Sequence, residues 1–218
     1  MRRRLVIGGA AAVVVAGVVI AGVTLASPDP PAPPHVLASP SAPASAVSAC
    51  GLPGTPGDDA PGAKAATWAP VGAYSLPVST TDGPGKRVDA GPWSCFAHTP
   101  SGAVLAGITI GLRAGGAAEN WQEVVRTQTM PGPGQDALLA KPLGDAALVT
   151  IRGFDIAGYS DQRSTIRYYL HTPEGDSNCT TDVQWSNDDW RLVLGDDGST
   201  SSGCQLGVPA DFTPWGPS

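Results

Sequence analysis

The sequence predicts an α+β fold in which helices come first and antiparallel strands follow. Two observations favour this fold class. Apolar residues recur at helical spacing after Pro100, whereas between 149 and 194 they alternate with polar residues at every second position. Gly-rich and Pro-rich runs separate these segments and indicate where helices end and turns begin. Helices and strands segregated in this order are typical of helices packed against a bent antiparallel sheet.

Three helices are predicted. The first begins at Pro100, because Thr99 suits the N-cap and proline suits the first helical position. Apolar residues then recur at 104, 105, 108 and 112, and two glycines at 115 and 116 end the helix. A second helix is expected over about 117–129. A short third helix is expected over about 135–140, after a Pro-Gly-Pro-Gly break.

Period-two alternation predicts four strands, at 149–156, 166–170, 181–185 and 190–194. The phase of the first strand slips at Gly153, which predicts a β-bulge that bends the sheet. The tight loop at 186–189 predicts that the last two strands form a hairpin. An earlier extended segment at 68–78 contains Pro70 and Pro77, so it is predicted to be an edge strand.

The N-terminus predicts a membrane anchor. Arginines at positions 2, 3 and 4 precede an uncharged apolar run at 5–26, which as a helix spans roughly 33 Å, enough to cross a bilayer core of about 30 Å. Because Lys and Arg stay on the cytoplasmic side, we expect a single-pass signal-anchor at 1–26 with a cytoplasmic N-terminus. A cleaved signal peptide is the alternative, since Thr24-Leu25-Ala26-Ser27 resembles a small-residue cleavage site.

The next segment, 27–49, is predicted to be a disordered linker. Seven of its residues are proline, and most of the others are Ala or Ser, so it offers nothing for a hydrophobic core. The remaining segment, 50–218, suits one extracytoplasmic domain. That domain holds ten Lys and Arg against eighteen Asp and Glu, a net charge of about −8. Direct nucleic-acid binding is therefore not expected.

All four cysteines lie beyond the predicted membrane span. An even number in an oxidising compartment predicts two disulfides, and four cysteines allow three pairings. We favour Cys50–Cys95 together with Cys179–Cys204, the second closing a predicted hairpin region. Metal binding is the competing interpretation, but the sequence has no C-x2-C spacing.

The order of helices followed by a strand meander, ending in Trp185-loop-Trp190-x-Leu192-x-Leu194, resembles the nuclear transport factor 2-like (cystatin-like) fold. This resemblance extends over about 93–194. It implies a cone, in which a bent sheet closes around helices and leaves a pocket.

A second resemblance extends over nearly the whole exported domain. It rests on four motifs: Cys-Gly-Leu-Pro-Gly at 50–54, Ser-Cys-Phe-Ala-His-Thr-Pro-Ser-Gly-Ala at 94–103, Pro-Gly-Pro-Gly-x-Asp-Ala-Leu-Leu at 131–139 and Phe-x-Pro-Trp-Gly at 212–216. These motifs resemble a family of membrane-anchored actinobacterial proteins of unknown function, often encoded in integrative or conjugative elements. The resemblance implies a place in or beside a transfer apparatus, and it implies no established activity.

Two residues are the candidates for a site in the pocket of the cone. His98 precedes the first helix and could act as a general base, with Asp155 from the bent strand as its partner. The alternative, which we favour, makes His98 a partly buried structural group that bonds a turn while Thr99 caps the helix. Arg152, Arg167 and Arg191 fall on strands, where they either bind an anion or, as is more common, face solvent.

Other chemistry finds no matching pattern. The acidic turns at 188–189 and 196–198 lack the spacing of a calcium loop. The sequence has no H-E-x-x-H motif, no G-x-S-x-G motif and no Ser-His-Asp set. Neither a metal nor a cofactor is therefore expected, and we do not expect an enzyme. Of the six tryptophans, those at 93, 121, 185 and 190 suit the core, and Trp215 is expected to pack back onto the domain from the tail.

Three functional hypotheses follow. The first is a single-pass anchored interaction or assembly module outside the cell, held in the bilayer through 5–26 and contacting envelope or transfer-apparatus proteins of a conjugative system. The second is a small-ligand-binding protein or cone-fold enzyme that uses a pocket near His98 and Asp155. The third is a tethered stress or surface protein without a role in transfer. The architecture favours the first.

Overall fold

The computed structural model describes residues 48–142 and 148–217. The helices in these ranges are α1 (Pro61–Lys64), α2 (Pro100–Leu112), α3 (Trp121–Gln128) and α4 (Pro133–Ala140). The strands are β1 (Thr67–Val71), β2 (Tyr74–Val78), β3 (Lys86–Arg87), β4 (Trp93–Ser94), β5 (Thr150–Tyr159), β6 (Arg163–Thr172), β7 (Gly175–Ser186), β8 (Asp189–Val193), β9 (Gly203–Leu206) and β10 (Thr213–Pro214). The predicted membrane span at 5–26 and the predicted linker up to residue 47 lie outside the described residues. Within the described ranges, no helix combines the length and the apolar character needed to span a bilayer.

The main sheet is antiparallel and confirms the α+β class. Its strand order is β10-β5-β6-β7-β8, and β9 adds to β7 beyond the end of β8. The four predicted strands of the meander correspond to β5, β6, β7 and β8, all of them consecutive neighbours. β1 with β2, and β3 with β4, form two small separate hairpins.

Helix α2 is the centre of the core. Its residues from Pro100 to Ile110 are all buried. The strands β5 to β8 cover one side of the helix, and α1 and β2 cover another. An apolar helix enclosed in this way needs no polar stripe, which explains why its sequence is almost uniformly apolar.

The predicted N-cap of α2 is confirmed. The Thr99 hydroxyl accepts a hydrogen bond from the backbone N–H of Gly102 at 3.1 Å, and Pro100 occupies the first turn. The predicted start of the second helix is wrong. A π-helical turn (Arg113–Ala117) follows α2, Gly116 has a φ of 112°, and α3 begins only at Trp121. A positive φ ends a right-handed helix, so the chain must reorient before α3 starts.

The predicted bulge at Gly153 is confirmed. The register of β5 against β6 shifts between Ile151 and Gly153, and a second shift lies between Ile156 and Gly158. Gly153 is also required sterically, because a Cβ there would meet the ring of Phe212. The two shifts bend β5 around the core.

The interpretation of 68–78 as one edge strand is wrong. This segment is the hairpin of β1 and β2, in which Val71 pairs with Tyr74 and Gly72 adopts a φ of 59°. Gly72 supplies the left-handed conformation that a two-residue turn needs. The period-two pattern continued across the turn and therefore concealed it.

The predicted hairpin of β7 and β8 is confirmed, with Ser186 paired to Asp189. Asn187 and Asp188 form its two-residue turn with φ values of 54° and 58°. Both residue types tolerate this left-handed conformation, and such turns match the twist of the flanking strands.

The predicted docking of the C-terminal tail is confirmed. Trp215 is 6% exposed, and its ring centroid lies 5.0 Å from that of Trp68 and 5.1 Å from that of Phe154. Its indole N–H donates to the carbonyl of Ala63 at 2.8 Å. The tail thus connects α1, the β1–β2 hairpin and β5.

Candidate functional site

His98 lies just before α2, at the edge of an aromatic cluster. Its ring stacks on Trp185 with a centroid distance of 3.9 Å and lies edge-on to Trp190 at 5.6 Å. Its Nε2 donates to the carbonyl of Asp161, in the turn between β5 and β6. His98 therefore connects the start of α2 to that turn, which is the structural role favoured from the sequence.

Asp155 lies on the outer face of the sheet, the face turned away from α2. Arg167, its neighbour on β6, donates to Asp155 Oδ2 from Nε at 3.0 Å and also from Nη2. The exposed fractions of the two side chains are 32% and 43%, so water screens this ion pair. Asp155 and His98 contact different groups, and the structure does not bring them together as one acid–base pair.

The outer face of the sheet holds further charged pairs. Arg163 Nε lies 3.7 Å from Asp182 Oδ1, and Thr165 donates to the same oxygen at 2.5 Å. Arg191 faces Gln184 across the β7–β8 pair, and its Nε donates to the carbonyl of Ser186 at 3.3 Å. Charges of both signs alternate on this face, as is usual for the solvated side of a sheet.

His171 and Asp176 face each other beside the turn of the β6–β7 hairpin. The Nδ1–H of His171 donates to Asp176 Oδ1 at 2.7 Å. This hydrogen bond, followed by one from Tyr169, holds the pKa of Asp176 below its ordinary value of 3.8.

The lowered pKa of Asp176 predicts a loss of stability in acid. The stability that this carboxylate adds is fully present above its unfolded pKa of 3.8. It is lost as the pH falls through the lower pKa that the carboxylate has in the folded protein. We expect Asp176→Asn to lower the midpoint of thermal unfolding at about pH 6 but not at about pH 2. Thermal melts of the variant and the wild type over this pH range measure the difference between their unfolding midpoints. A difference that does not change with pH would contradict the prediction. Asp58→Asn is the control for loss of a carboxylate.

A buried carboxylate organises the segment before α2. Asp82 is 0% exposed and accepts hydrogen bonds from the Thr55 backbone N–H at 2.7 Å and from hydroxyls of Thr55, Ser79 and Thr81 at 2.7 to 3.1 Å. The Thr99 hydroxyl adds a longer contact at 3.4 Å. Asp82 thus joins the segments around Thr55 and Ser79 to the start of α2, and no local pattern in the sequence indicates this role.

Asp189, at the start of β8, also holds the segment before α2. It accepts from the backbone N–H groups of Cys95 at 2.8 Å, Phe96 at 2.9 Å and Trp190 at 3.0 Å. Burial raises the pKa of Asp189, and these three hydrogen bonds oppose the rise. In the sequence, Asp189 belongs only to the acidic turn at 188–189, and no local pattern indicates these three partners.

Arg113 is a fully buried cation bound to backbone carbonyls. Its Nε donates to Gly91 at 2.9 Å, and its Nη2 donates to Val88 at 3.1 Å and Asp89 at 2.8 Å. Its guanidinium carbon lies 4.7 Å from the ring centroid of Trp93. Burial lowers the pKa of Arg113, opposed by the charge of Asp89. Arg113 therefore fixes the β3–β4 hairpin to the end of α2.

A cavity of about 220 Å³ lies between α2 and the inner face of the sheet. Three glycines at four-residue spacing on α2 and the following turn, at 107, 111 and 115, line it. A Cβ at Gly107 would meet the Tyr168 hydroxyl, whereas at Gly111 and Gly115 it would meet nothing within 4 Å. Walls of Leu112, Val149 and Leu170 make it mainly apolar. The four-residue spacing of these glycines is the signal in the sequence that indicates this cavity.

The described residues contain no group of three or more His, Cys, Asp or Glu side chains arranged to hold a metal ion. In the acidic turn at 196–198, a carboxylate bonds to the backbone of its own loop. Asp197 Oδ1 accepts from the backbone N–H of Ser199 at 2.9 Å, which organises its own loop.

The structure contains the two disulfides favoured from the sequence, Cys50–Cys95 and Cys179–Cys204. The first joins the chain near its entry into the domain to the segment before α2. The second joins directly opposed residues of β7 and β9. All four residues of β9 are exposed, so packing contributes little to holding it.

Removing the second disulfide should release β9. We expect the double substitution Cys179→Ser with Cys204→Ser to reduce the free energy of unfolding by about 3 kcal/mol, the value for closing a loop of this length. The expected local result is faster amide exchange at 203–206 than in β6. Hydrogen exchange followed by mass spectrometry measures both. If β9 stays as protected as in the wild type, its strand pairing suffices without the disulfide.

Comparison with known proteins gives one family. The model of a domain of unknown function, DUF8175, matches residues 29–214. No curated protein and no solved structure matches the chain. Since the match extends over most of the chain, the protein belongs to the DUF8175 family.

Proposed function

We propose that this protein is a single-pass membrane-anchored interaction or assembly module outside the cell, and an accessory component of a conjugative transfer system. The anchor at 5–26, the linker at 27–49 and the resemblance to proteins of mobile elements support the proposal. Two disulfides fit the oxidising compartment that it requires.

The observation that carries the proposal is how the chain enters the domain. Ala49 donates from its backbone N–H to the carbonyl of Asp188 at 2.8 Å, and Ser48 is 4% exposed. Cys50 is bonded to Cys95, and the neighbour of Cys95, Phe96, is fully buried. The residues through which a linker would enter the domain are thus held against its core. A domain that is tethered to a membrane needs such a fixed attachment.

We further propose that the domain is a nuclear transport factor 2-like cone. Support comes from the two register shifts that bend β5 and from the enclosure of α2 by β5 to β8. The cavity over Gly111 and Gly115 would be the pocket of that cone.

Two measurements in the native host test the module. A photo-crosslinking residue at Gln184, on the outer sheet face, should capture an envelope protein in the membrane fraction, whereas the same residue at buried Val183 should not. A deletion strain should transfer its mobile element less often than the wild type. Unchanged transfer together with no captured partner would refute the proposal, and a soluble product starting near Ser27 would refute the anchor.

A second candidate is binding of a small apolar ligand in the cavity over α2. The favouring observation is the open space above Gly111 and Gly115 between aliphatic walls. This location replaces the pocket near His98 and Asp155. A ligand that stabilises the wild type in thermal melts but not Gly111→Leu would support it, and equal stabilisation of both would exclude it.

The same glycines predict opposite effects of alanine. Gly111→Ala should raise the free energy of unfolding by about 0.5 to 1 kcal/mol, because alanine is the better helix former and its Cβ meets open space. Gly107→Ala should lower it, because the new methyl group would collide with the Tyr168 hydroxyl, which donates to Val104 at 2.7 Å. Urea unfolding of the two variants compares them, and equal signs would contradict the assigned packing.

A further inference from the structure

Strand β9 forms an open edge of the main sheet. Among the described strands it pairs with β7 alone, whereas β8, which lies beside the other part of β7, is also bridged to Thr129. All four residues of β9 are exposed. A Cβ at Gly203, or at Gly207 just after the strand, would meet nothing within 4 Å. No described strand therefore covers the side of β9 that is turned away from β7.

The backbone groups of Cys204 and Leu206 point toward this open side. In an antiparallel pair, residues alternate between those whose N–H and C=O face the partner strand and those whose groups face away. The N–H of Gly207 donates to the carbonyl of Asp176 on β7 at 2.8 Å, so by alternation Gln205 also faces β7. The Cα of Cys204 lies 4.1 Å from that of its partner on β7, near the spacing of about 4.5 Å for a pair without backbone hydrogen bonds.

A second copy of the chain offers the matching groups. When two β9 strands lie antiparallel about a two-fold axis at Gln205, Cys204 of each copy is opposite Leu206 of the other. Both residues present an N–H donor and a C=O acceptor on the open side, so each of these pairs can exchange two hydrogen bonds. The same residues serve both copies, which is the isologous arrangement typical of two-fold dimers.

Strand β9 lacks the features that usually prevent edge-to-edge pairing. Natural edge strands are protected by charged side chains, by Pro or by a covering element. The edge strand at the opposite end of the sheet, β10, is two residues long and includes Pro214. In contrast, β9 contains no Pro, and 198–210 contain no Asp, Glu, Lys or Arg, in a domain with a net charge of about −8. Two copies of this acidic domain therefore repel each other least along β9.

Exposed apolar side chains flank the same edge. Leu206 is 88% exposed and Val208 is 56% exposed. Leu206 belongs to a row across the inner face of the sheet whose other members are Ser177, Leu170 and Ile151, and the two apolar ones are buried. Leu206 thus extends the core row beyond the cover that the described residues provide. Pairing about Gln205 places the Leu206 side chain of each copy beside the β7–β9 disulfide of the other, because opposed residues share a face.

We infer that β9 joins two copies of this chain into a dimer, through antiparallel edge-to-edge pairing about a two-fold axis at Gln205. This contact goes beyond the proposed function, which concerns other envelope proteins. A strand of four residues offers few hydrogen bonds, so the dimer is weak between free molecules. Anchoring two copies in one membrane would raise their effective concentration and favour the pairing.

Photo-crosslinking of the full chain in its host cells tests this pairing. A photo-reactive residue replaces Gln205 or, as a control, Gln122, which is exposed on α3. Two copies with different epitope tags are expressed together, so a covalent product that carries both tags is a homodimer. We expect at least about tenfold more of this product from position 205, because that residue lies on the two-fold axis. Equal yields from both positions, or crosslinks from 205 to another protein only, would overturn the inference.

Matched charge insertions locate the contact. Leu206→Asp changes an exposed side chain, so the fold should remain intact while the homodimer crosslink from position 205 falls at least about fivefold. Val88→Asp makes the same change at another exposed apolar residue, outside β9, and should alter the yield less than about twofold. Equal losses in both variants would mean that overall charge, rather than β9, governs association, and would overturn the contact.

A histidine substitution tests the register. Gln205→His would place the imidazoles of the two copies opposite each other, at the short spacing of a pair without backbone hydrogen bonds. Because Zn²⁺ binds imidazole nitrogens, it should raise the dimer fraction of this variant at least about fivefold in detergent micelles, and a chelator should reverse the effect. Analytical ultracentrifugation measures the dimer fraction, and Gln122→His is the control. An equal effect of Zn²⁺ on both variants would overturn the two-fold axis at Gln205.

The dimer and the proposed function can fail separately. Homodimer crosslinks from position 205, together with unchanged transfer in a deletion strain and no other captured partner, would support the β9 pairing while refuting the role in transfer. Capture of an envelope protein from position 184 without homodimer crosslinks from position 205 would overturn the β9 pairing and leave the proposed module standing.

Discussion

We expect Arg113→Met to lower the free energy of unfolding by at least about 3 kcal/mol. Hydrogen bonds to charged groups are worth about 1.5 to 3 kcal/mol each, and this guanidinium bonds the carbonyls of Val88, Asp89 and Gly91. A methionine fills much of the volume but removes the donor of the Asp89 and Gly91 carbonyls in the β3–β4 hairpin. Urea unfolding measured by circular dichroism gives the change.

The control for this prediction is Arg113→Lys. Lysine keeps the charge but lacks the planar fork that reaches several carbonyls from one position. We expect an intermediate loss of stability. If Arg113→Met stays within about 1 kcal/mol of the wild type, the hairpin does not depend on this cation.

We expect Trp190→Ala to lower the free energy of unfolding by about 4 kcal/mol, which is in the range for removing a large aromatic side chain from a core. Trp190 is 1% exposed and contacts the rings of His98, Trp185 and Tyr159. Its indole N–H donates to the Ala97 carbonyl at 2.9 Å. Because Ala97 precedes His98, the loss should also loosen the start of α2.

Trp190→Phe separates packing from hydrogen bonding. Phenylalanine keeps an aromatic ring but removes the indole N–H that donates to the Ala97 carbonyl and fills less of the space, so we expect a loss of about 2 kcal/mol. Chemical unfolding followed by circular dichroism compares both variants with the wild type. Equal losses for phenylalanine and alanine would show that the hydrogen bond, rather than the ring, stabilises this part of the core.

Local signals predicted the parts of the fold that depend on neighbouring residues. Thr99 caps α2, Gly153 produces a bulge, and the loop at 186–189 closes a hairpin. Each follows from a conformational preference of one or two residues. The disulfide pairing was favoured from the number and positions of the cysteines, and the structure contains it.

Long-range pairing was not predictable in this way. Strand β9 consists of Gly203 to Leu206, all exposed, and has no apolar alternation that would reveal it. Strand β10 is two residues long and pairs with β5 across most of the meander. The hairpin of β1 and β2 was concealed because its apolar pattern keeps the same parity across Gly72.

The candidate site residues show the same difference between local preference and long-range placement. His98 and Asp155 are chemically suitable residues, but they point to different surroundings: one stacks on Trp185, the other pairs with Arg167. Parity along a strand decides which face a side chain occupies, and the bulge at Gly153 sets the parity of Asp155. Asp82 and Asp189, which both bond to residues at 95–99, lie far apart in sequence and carry no common motif.

The sequence by itself determined the fold class, the caps and turns, the cysteine content and the prediction of an anchored, acidic, extracytoplasmic domain. Only the tertiary structure decided which charges are buried and which of them pair. The physical reason is that composition and periodicity record local preference, whereas the use of a charge depends on the groups that the fold places around it. Arg113, bound to three backbone carbonyls, and Arg126, exposed on α3, are both ordinary cations in the sequence.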